Sequence, residues 1–144
     1  MTEDQRARAI LVSVFCTDHV ALADFYARAF GFDEITVARS PIFTALDAGG
    51  ITLGFHADDA YDLLGLADRR GLPPGPTHVT IEVGSSDDVD AALEPLLAAG
   101  ATHVQGPFTT YYDARQLVLL DPEGNVLRVS SSQTGVSDPP RTGT

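Results

Sequence analysis

The chain carries one pattern twice, and this internal repeat limits its fold more than any other feature. The second copy reads THVTIEV, an acidic turn, DAALEPLLAAGA, a Pro-interrupted stretch and LVLLDPEGNVLRVSS. The first reads AILVSVF, CTDH, VALADFYARAFGF and then IFTALDAGGITLGFH. Each copy, roughly 65 residues of strand, helix and three further strands, is too small to close a core alone, so two modules packed together are expected.

With 144 residues and 44% hydrophobic content, the chain suits one well-buried domain or two half-size modules sharing a core. A net charge of -11 with only nine basic residues argues against nucleic acid, because phosphate binding needs clustered Lys and Arg. The same acidity repels anionic membrane surfaces, and no apolar run approaches the roughly 20 residues that span a bilayer. The N-terminal MTEDQRARA lacks a signal peptide's apolar segment, so a cytoplasmic protein is expected. The single cysteine, Cys16, cannot form an internal disulfide and reads as a buried inert thiol.

Polar composition marks residues 1–8 and 132–144 as disordered tails, with module one over 9–58, a linker over 59–76 and module two over 77–131. The linker holds Leu63, Leu64 and Leu66 in a short docked helix and ends in an extended Pro73, Pro74 and Pro76 stretch. In module one, Ile10 to Phe15 alternates as a strand, and Asp18 is placed to cap a helix with Leu22, Phe25, Tyr26, Ala29 and Phe30 on one stripe, ended by Gly31. Phe32 to Val37, Pro41 to Leu46 and Ile51 to His56 read as three more strands. In module two, Asp87 or Asp88 is expected to cap a helix with Val89, Ala92, Leu93 and Leu96 inward, kinked at Pro95 and ended by Gly100. Asp121 to Asn125 forms a hairpin turn.

The repeated βαβββ order, the DFYARAFGF and DDVDAALEPLLAAGA segments and the DPEGN turn together resemble the vicinal oxygen chelate superfamily over residues 9 to 131. That superfamily includes glyoxalase I, extradiol dioxygenases, fosfomycin and bleomycin resistance proteins and methylmalonyl-CoA epimerase. The resemblance implies an α+β fold: two tandem βαβββ modules whose sheets curl into a cup with helices outside, completed in a homodimer. One fold hosts many chemistries, so it does not name the function.

Metal-dependent members place a ligand on the first and last strand of each module. Carried over by the resemblance, these positions fall on Leu11, on His78, near Gly54 with His56 a step further along, and on Arg128. One donor is kept, and the other positions hold an aliphatic, a glycine and a cation. A divalent ion needs three or four N or O donors, so neither a metal nor another cofactor is expected.

If Val79, Ile81 and Val83 pack under the helix, strand parity turns His78, Thr80 and Glu82 into the cavity, along with Ser13, His56 and Arg128. Buried polar groups need partners. An internal Arg128 to Glu82 ion pair would supply them, and so would a ligand whose carboxylate, enolate or phenolate meets Arg128, with His78 or His56 as hydrogen-bond donor or base. His78 and Glu82, four residues apart on one strand, stand roughly 13 Å apart and cannot share an ion. His19 and His103 read as exposed. Phe108, Tyr111 and Tyr112 in GPFTTYYDARQ offer flat ligand contacts or cover the dimer or module seam, and Phe43 and Phe55 divide the same way.

Three functions follow. The first is a metal-free protein sequestering a small aromatic or cationic compound, which the acidic composition would attract. The second is a metal-independent isomerase, lyase or cyclase using His78, Glu82 and Arg128. The third is a metal-dependent glyoxalase or dioxygenase.

Overall fold

Alternating side chains and local caps build each module around one helix. The structure is a computed structural model that describes residues 9–72 and 78–131, so the expected tails and the Pro73 to Pro76 stretch lie outside the described residues. The chain divides into two compact units, one ending at Leu72 and the next beginning at Pro73.

In the first unit, strand β1 (Leu11–Phe15) leads into helix α1 (His19–Phe30). The Asp18 side chain accepts a hydrogen bond from the Ala21 amide, and Gly31, at φ 73°, closes the far end in the left-handed region. Strands β2 (Asp33–Glu34), β3 (Phe43–Asp47) and β4 (Thr52–His56) complete a sheet of order β1-β4-β3-β2. β1 and β4 run parallel, and the other pairs are antiparallel. α1 packs Leu22, Phe25 and Tyr26 on β3 and β4, burying Leu46, Leu53 and Phe55. Phe55 is thus core, with its ring 5.5 Å from Tyr26, and not a ligand contact.

Several expectations give way here. The strand expected from Phe32 to Val37 keeps only two residues before a 3-10 turn at Thr36–Ala38, where Val37 projects into solvent and Arg39 folds back onto Glu34. His19 is buried: its Nε2 donates to the Pro41 carbonyl at 2.9 Å and its Nδ1 accepts from the Thr44 hydroxyl at 2.7 Å, tying the start of α1 to the sheet. Ala29 is exposed, the stripe having moved toward Ala23. After β4, helix α2 (Ala60–Leu63) buries Ala60 and leaves Leu63 and Leu64 exposed, and Tyr61 makes the inward contact by stacking on Phe15 at 4.0 Å.

The second unit repeats the plan with β5 (His78–Glu82), α3 (Ser86–Ala98), β6 (Thr102–Thr109), β7 (Arg115–Leu120) and β8 (Val126–Ser131), in order β5-β8-β7-β6. Ser85, not Asp87 or Asp88, caps α3, because its extended backbone lets the hydroxyl accept from the Asp88 amide. The two aspartates then occupy the first turn, where the helix dipole favours negative charge. α3 runs through Pro95 without a break. Its Val89 and Leu96 cover Leu117, Leu119, Leu127 and Val129, which are fully buried or nearly so. The class is α+β with two tandem βαβββ modules.

Asp121 organises the hairpin between β7 and β8. Its buried carboxylate accepts from the Glu123 and Asn125 amides and from the Asn125 side chain. Asp121→Ala leaves those donors unpaired, and a loss of about 2 kcal/mol is expected from the midpoint of urea unfolding at unchanged slope. Asp121→Asn should lose less, and equal stability of all three proteins would show that the turn carries no such load.

Candidate functional site

The registers of the two modules coincide. β1 lies against β4 with Leu11 opposite Thr52, Ser13 opposite Gly54 and Phe15 opposite His56. β5 lies against β8 with His78 opposite Val126, Thr80 opposite Arg128 and Glu82 opposite Ser130. Leu11 therefore corresponds to His78 and Gly54 to Arg128. Strand parity gives each sheet one face toward its own helix and another carrying these positions.

In the second unit, the face away from α3 carries a polar group centred on Arg128. Half-buried Arg128 donates from Nε to the Thr80 hydroxyl at 3.1 Å, its neighbour across the strand pair. The expected Arg128 to Glu82 clamp is not formed. Among the described residues, ion pairs fall on Arg28, Arg39, Arg70 and Arg115. The next strand brings Gln116, only 5% exposed, whose amide donates to the Tyr112 hydroxyl at 3.0 Å and to Ser130 at 3.4 Å. Phe108 lies opposite Gln116 and is half-buried.

Thr80 and Arg128 thus form one polar pair and Gln116, Ser130 and Tyr112 another, with Phe108 opposite Gln116 and Val118 opposite Arg128 in the strand register. Gln116 and Ser130 escape the sequence reading, although Ser130 lies two residues past Arg128 and so on the same face, and Gln116 is the polar residue within RQLVLL. Exposed His78 begins β5 and Glu82 ends it, so they do not converge on one atom. Tyr111 is 83% exposed and meets Tyr112 edge-on with ring centroids 5.0 Å apart. His103 is exposed as expected, and its Nε2 donates to the Gly106 carbonyl.

The corresponding face of the first unit is aromatic. Phe43 and Phe15 flank His56, with ring centroids at 4.7 and 5.4 Å. Ser13 Oγ and His56 Nδ1 are buried and have no hydrogen-bond partner among the described residues. Burial holds the His56 imidazole below its ordinary pKa, because the charged form loses its hydration. Cys16, half-buried, directs its thiol toward the His56 carbonyl at 3.4 Å.

Among the described residues, the positions carried over as metal ligands do not fit a divalent ion. A Cβ on Gly54 would stand 2.7 Å from Phe43 Cε1 and 2.8 Å from Ser13 Oγ, so a ligating side chain there would displace Phe43. At the matching place in the second unit stands the Arg128 guanidinium, which repels a cation. Among the described residues, no three His, Cys, Asp or Glu side chains come together in a way that would hold an ion.

Residues 9–130 match the family model of a glyoxalase-like domain. A glyoxalase/bleomycin resistance protein/dioxygenase family enzyme from Burkholderia phytofirmans is 41% identical, covers 84% of this chain and 95% of its own, and superposes with a TM-score of 0.81. A glyoxalase-related enzyme from Fulvimarina pelagi, at 17% identity, 95% and 99% coverage and a TM-score of 0.76, shares the fold. So does lactoylglutathione lyase from Agrobacterium tumefaciens, at 16% identity, 92% and 99% coverage and a TM-score of 0.69. A search of curated proteins finds no match.

The lowered pKa of His56 has a consequence for stability. As pH falls below about 6.5, the unfolded chain takes up this proton before the folded one. The contribution is intact above that pH and lost as pH falls toward the folded pKa. Wild-type protein should therefore lose more stability between pH 7.5 and pH 5 than His56→Gln does, as read by urea unfolding; parallel losses would contradict the burial of a neutral imidazole.

Proposed function

Because the chain belongs to the glyoxalase-like family, we propose that it is a metal-free small-molecule-binding protein of the glyoxalase/bleomycin-resistance type. It holds its ligand at the polar face of the second unit. The observation that carries this reading is Arg128: a half-buried cation held through Nε to Thr80, with no carboxylate partner among the described residues. Its two terminal nitrogens form a planar fork suited to a carboxylate or phenolate, and such charge-assisted pairs are the stronger hydrogen bonds. Gln116 and Ser130 supply neutral donors and acceptors beside it, and Tyr112 and Phe108 supply flat apolar contact.

This arrangement favours an aromatic anion. The cationic compound suggested by overall acidity would meet a guanidinium at the centre of the site, and local charge outweighs a distant average. Acid–base chemistry has weaker support, since His78 and Glu82 stand at opposite ends of β5. A homodimer and a cytoplasmic setting belong to the same proposal. The dimer is supported by the exposed Ile10, Leu11 and Val12 at the edge strand of the first sheet, and no helix of the described residues is long and apolar enough to cross a membrane.

Calorimetric titration with benzoate, salicylate and the cation benzamidine tests the reading. The anions should bind and benzamidine should not. Arg128→Ala should weaken salicylate about 10- to 100-fold at unchanged circular dichroism, the range expected for a charge-assisted hydrogen bond, with Arg128→Lys intermediate. Preference for benzamidine, or affinity indifferent to Arg128, would refute it.

A further inference from the structure

Both hydrogens of one buried amide in the second unit are spent on hydroxyl groups. Gln116, 5% exposed, donates from Nε2 to the Tyr112 hydroxyl at 3.0 Å and to the Ser130 hydroxyl at 3.4 Å. A hydroxyl that accepts from an amide keeps its own proton to give elsewhere. Among the described residues, neither the Tyr112 nor the Ser130 proton has an acceptor. Tyr112 is only half-buried, and its phenolic proton is more acidic than that of an aliphatic hydroxyl, so it is the stronger donor of the two.

The strand register places these hydroxyls relative to Arg128. Val118 lies opposite Arg128, and Gln116 lies opposite Ser130. Ser130 follows Arg128 by two residues on β8 and so shares its face, about 7 Å further along by strand rise. Glu82 lies opposite Ser130 on β5 and is on this face as well. Its carboxylate disfavours a second negative charge at this end. The group suited to the Tyr112 and Ser130 protons is therefore an acceptor without charge.

We infer that Gln116 is a positioning residue that fixes Tyr112 and Ser130 as donors, so that the ligand is an aromatic acid with a neutral carbonyl group at the far end of its ring. The inference rests on the reading of Arg128 as the anion site. The carboxylate of the ligand meets Arg128, the ring spans the interval along β8, and the carbonyl oxygen accepts from Tyr112 with Ser130 beside it. A carboxylate at position 116 would do the reverse, because it only accepts. Both hydroxyls would then donate inward and turn their lone pairs toward the ligand.

Calorimetric titration of the full chain with 4-acetylbenzoate and 4-aminobenzoate tests this. The two probes carry the same charge, and at the far end one accepts while the other donates. Wild-type protein should bind 4-acetylbenzoate about tenfold more tightly, the worth of one neutral hydrogen bond. Tyr112→Phe should bring the two probes within about threefold by removing the stronger donor. Gln116→Glu should reverse their order, a result that mere loss of packing would not give. Arg128→Ala should weaken both probes alike and keep their ratio. Affinities indifferent to Arg128 would overturn the anion reading and this inference together. If both affinities depend on Arg128, equal binding of the two probes by wild type, or an unchanged ratio in Tyr112→Phe or Gln116→Glu, would overturn the role of Gln116 alone. If Gln116→Glu does not fold, wild type and Tyr112→Phe decide by the same ratios.

Discussion

Parallel pairing of the first strand of each module with its last is the constraint on which the rest depends. A parallel pair needs a crossover, and α1 or α3 with the following strands supplies it. Once Ser13 is set opposite Gly54, and Thr80 opposite Arg128, strand parity decides which side chains meet the helix and which meet the other face. A slip of β8 by one residue would send Leu127 and Val129 out of the core and Arg128 into it. The apolar packing of α3 over Leu117, Leu119, Leu127 and Val129 holds the register, and with it the polar face.

The two modules use the same positions in opposite ways. At the place where the second unit has Arg128, the first has Gly54, and the missing side chain admits the ring of Phe43. At the place where the second unit has His78, the first has Leu11. One face is therefore polar and centred on a cation, and the other is aromatic around a neutral imidazole. The two modules share one strand order and register, and different residues at matching sites give their faces different chemistry.

Much of the fold was legible because its signals are local. Asp18, the apolar stripe of α1 and Gly31 lie within one helix, and the DPEGN turn is organised by its own Asp121. His19 reads as exposed in the sequence because the partners that bury it, Pro41 and Thr44, lie 22 and 25 residues away. Leu63 and Leu64 were expected to dock on the strength of their apolar character, yet Tyr61 took the available surface on Phe15. Within the candidate site, Arg128 and Thr80 were legible from parity, whereas the choice of Thr80 over Glu82 as the partner of Arg128 depends on distances across strands. Gln116 was invisible for the same reason: its hydrogen bonds run to a loop tyrosine and to a serine on β8.

In the proposed function the Arg128 guanidinium stands where other family members carry a metal ligand and receives an anionic group directly. Native mass spectrometry of the purified protein, with elemental analysis before and after exposure to Zn²⁺, Ni²⁺, Mn²⁺ and Fe²⁺, tests it most directly. No stoichiometric metal is expected under any of these conditions. One ion per chain, lost on His78→Ala and retained on Arg128→Ala, would contradict it and return this member of the family to oxygen-chelate chemistry.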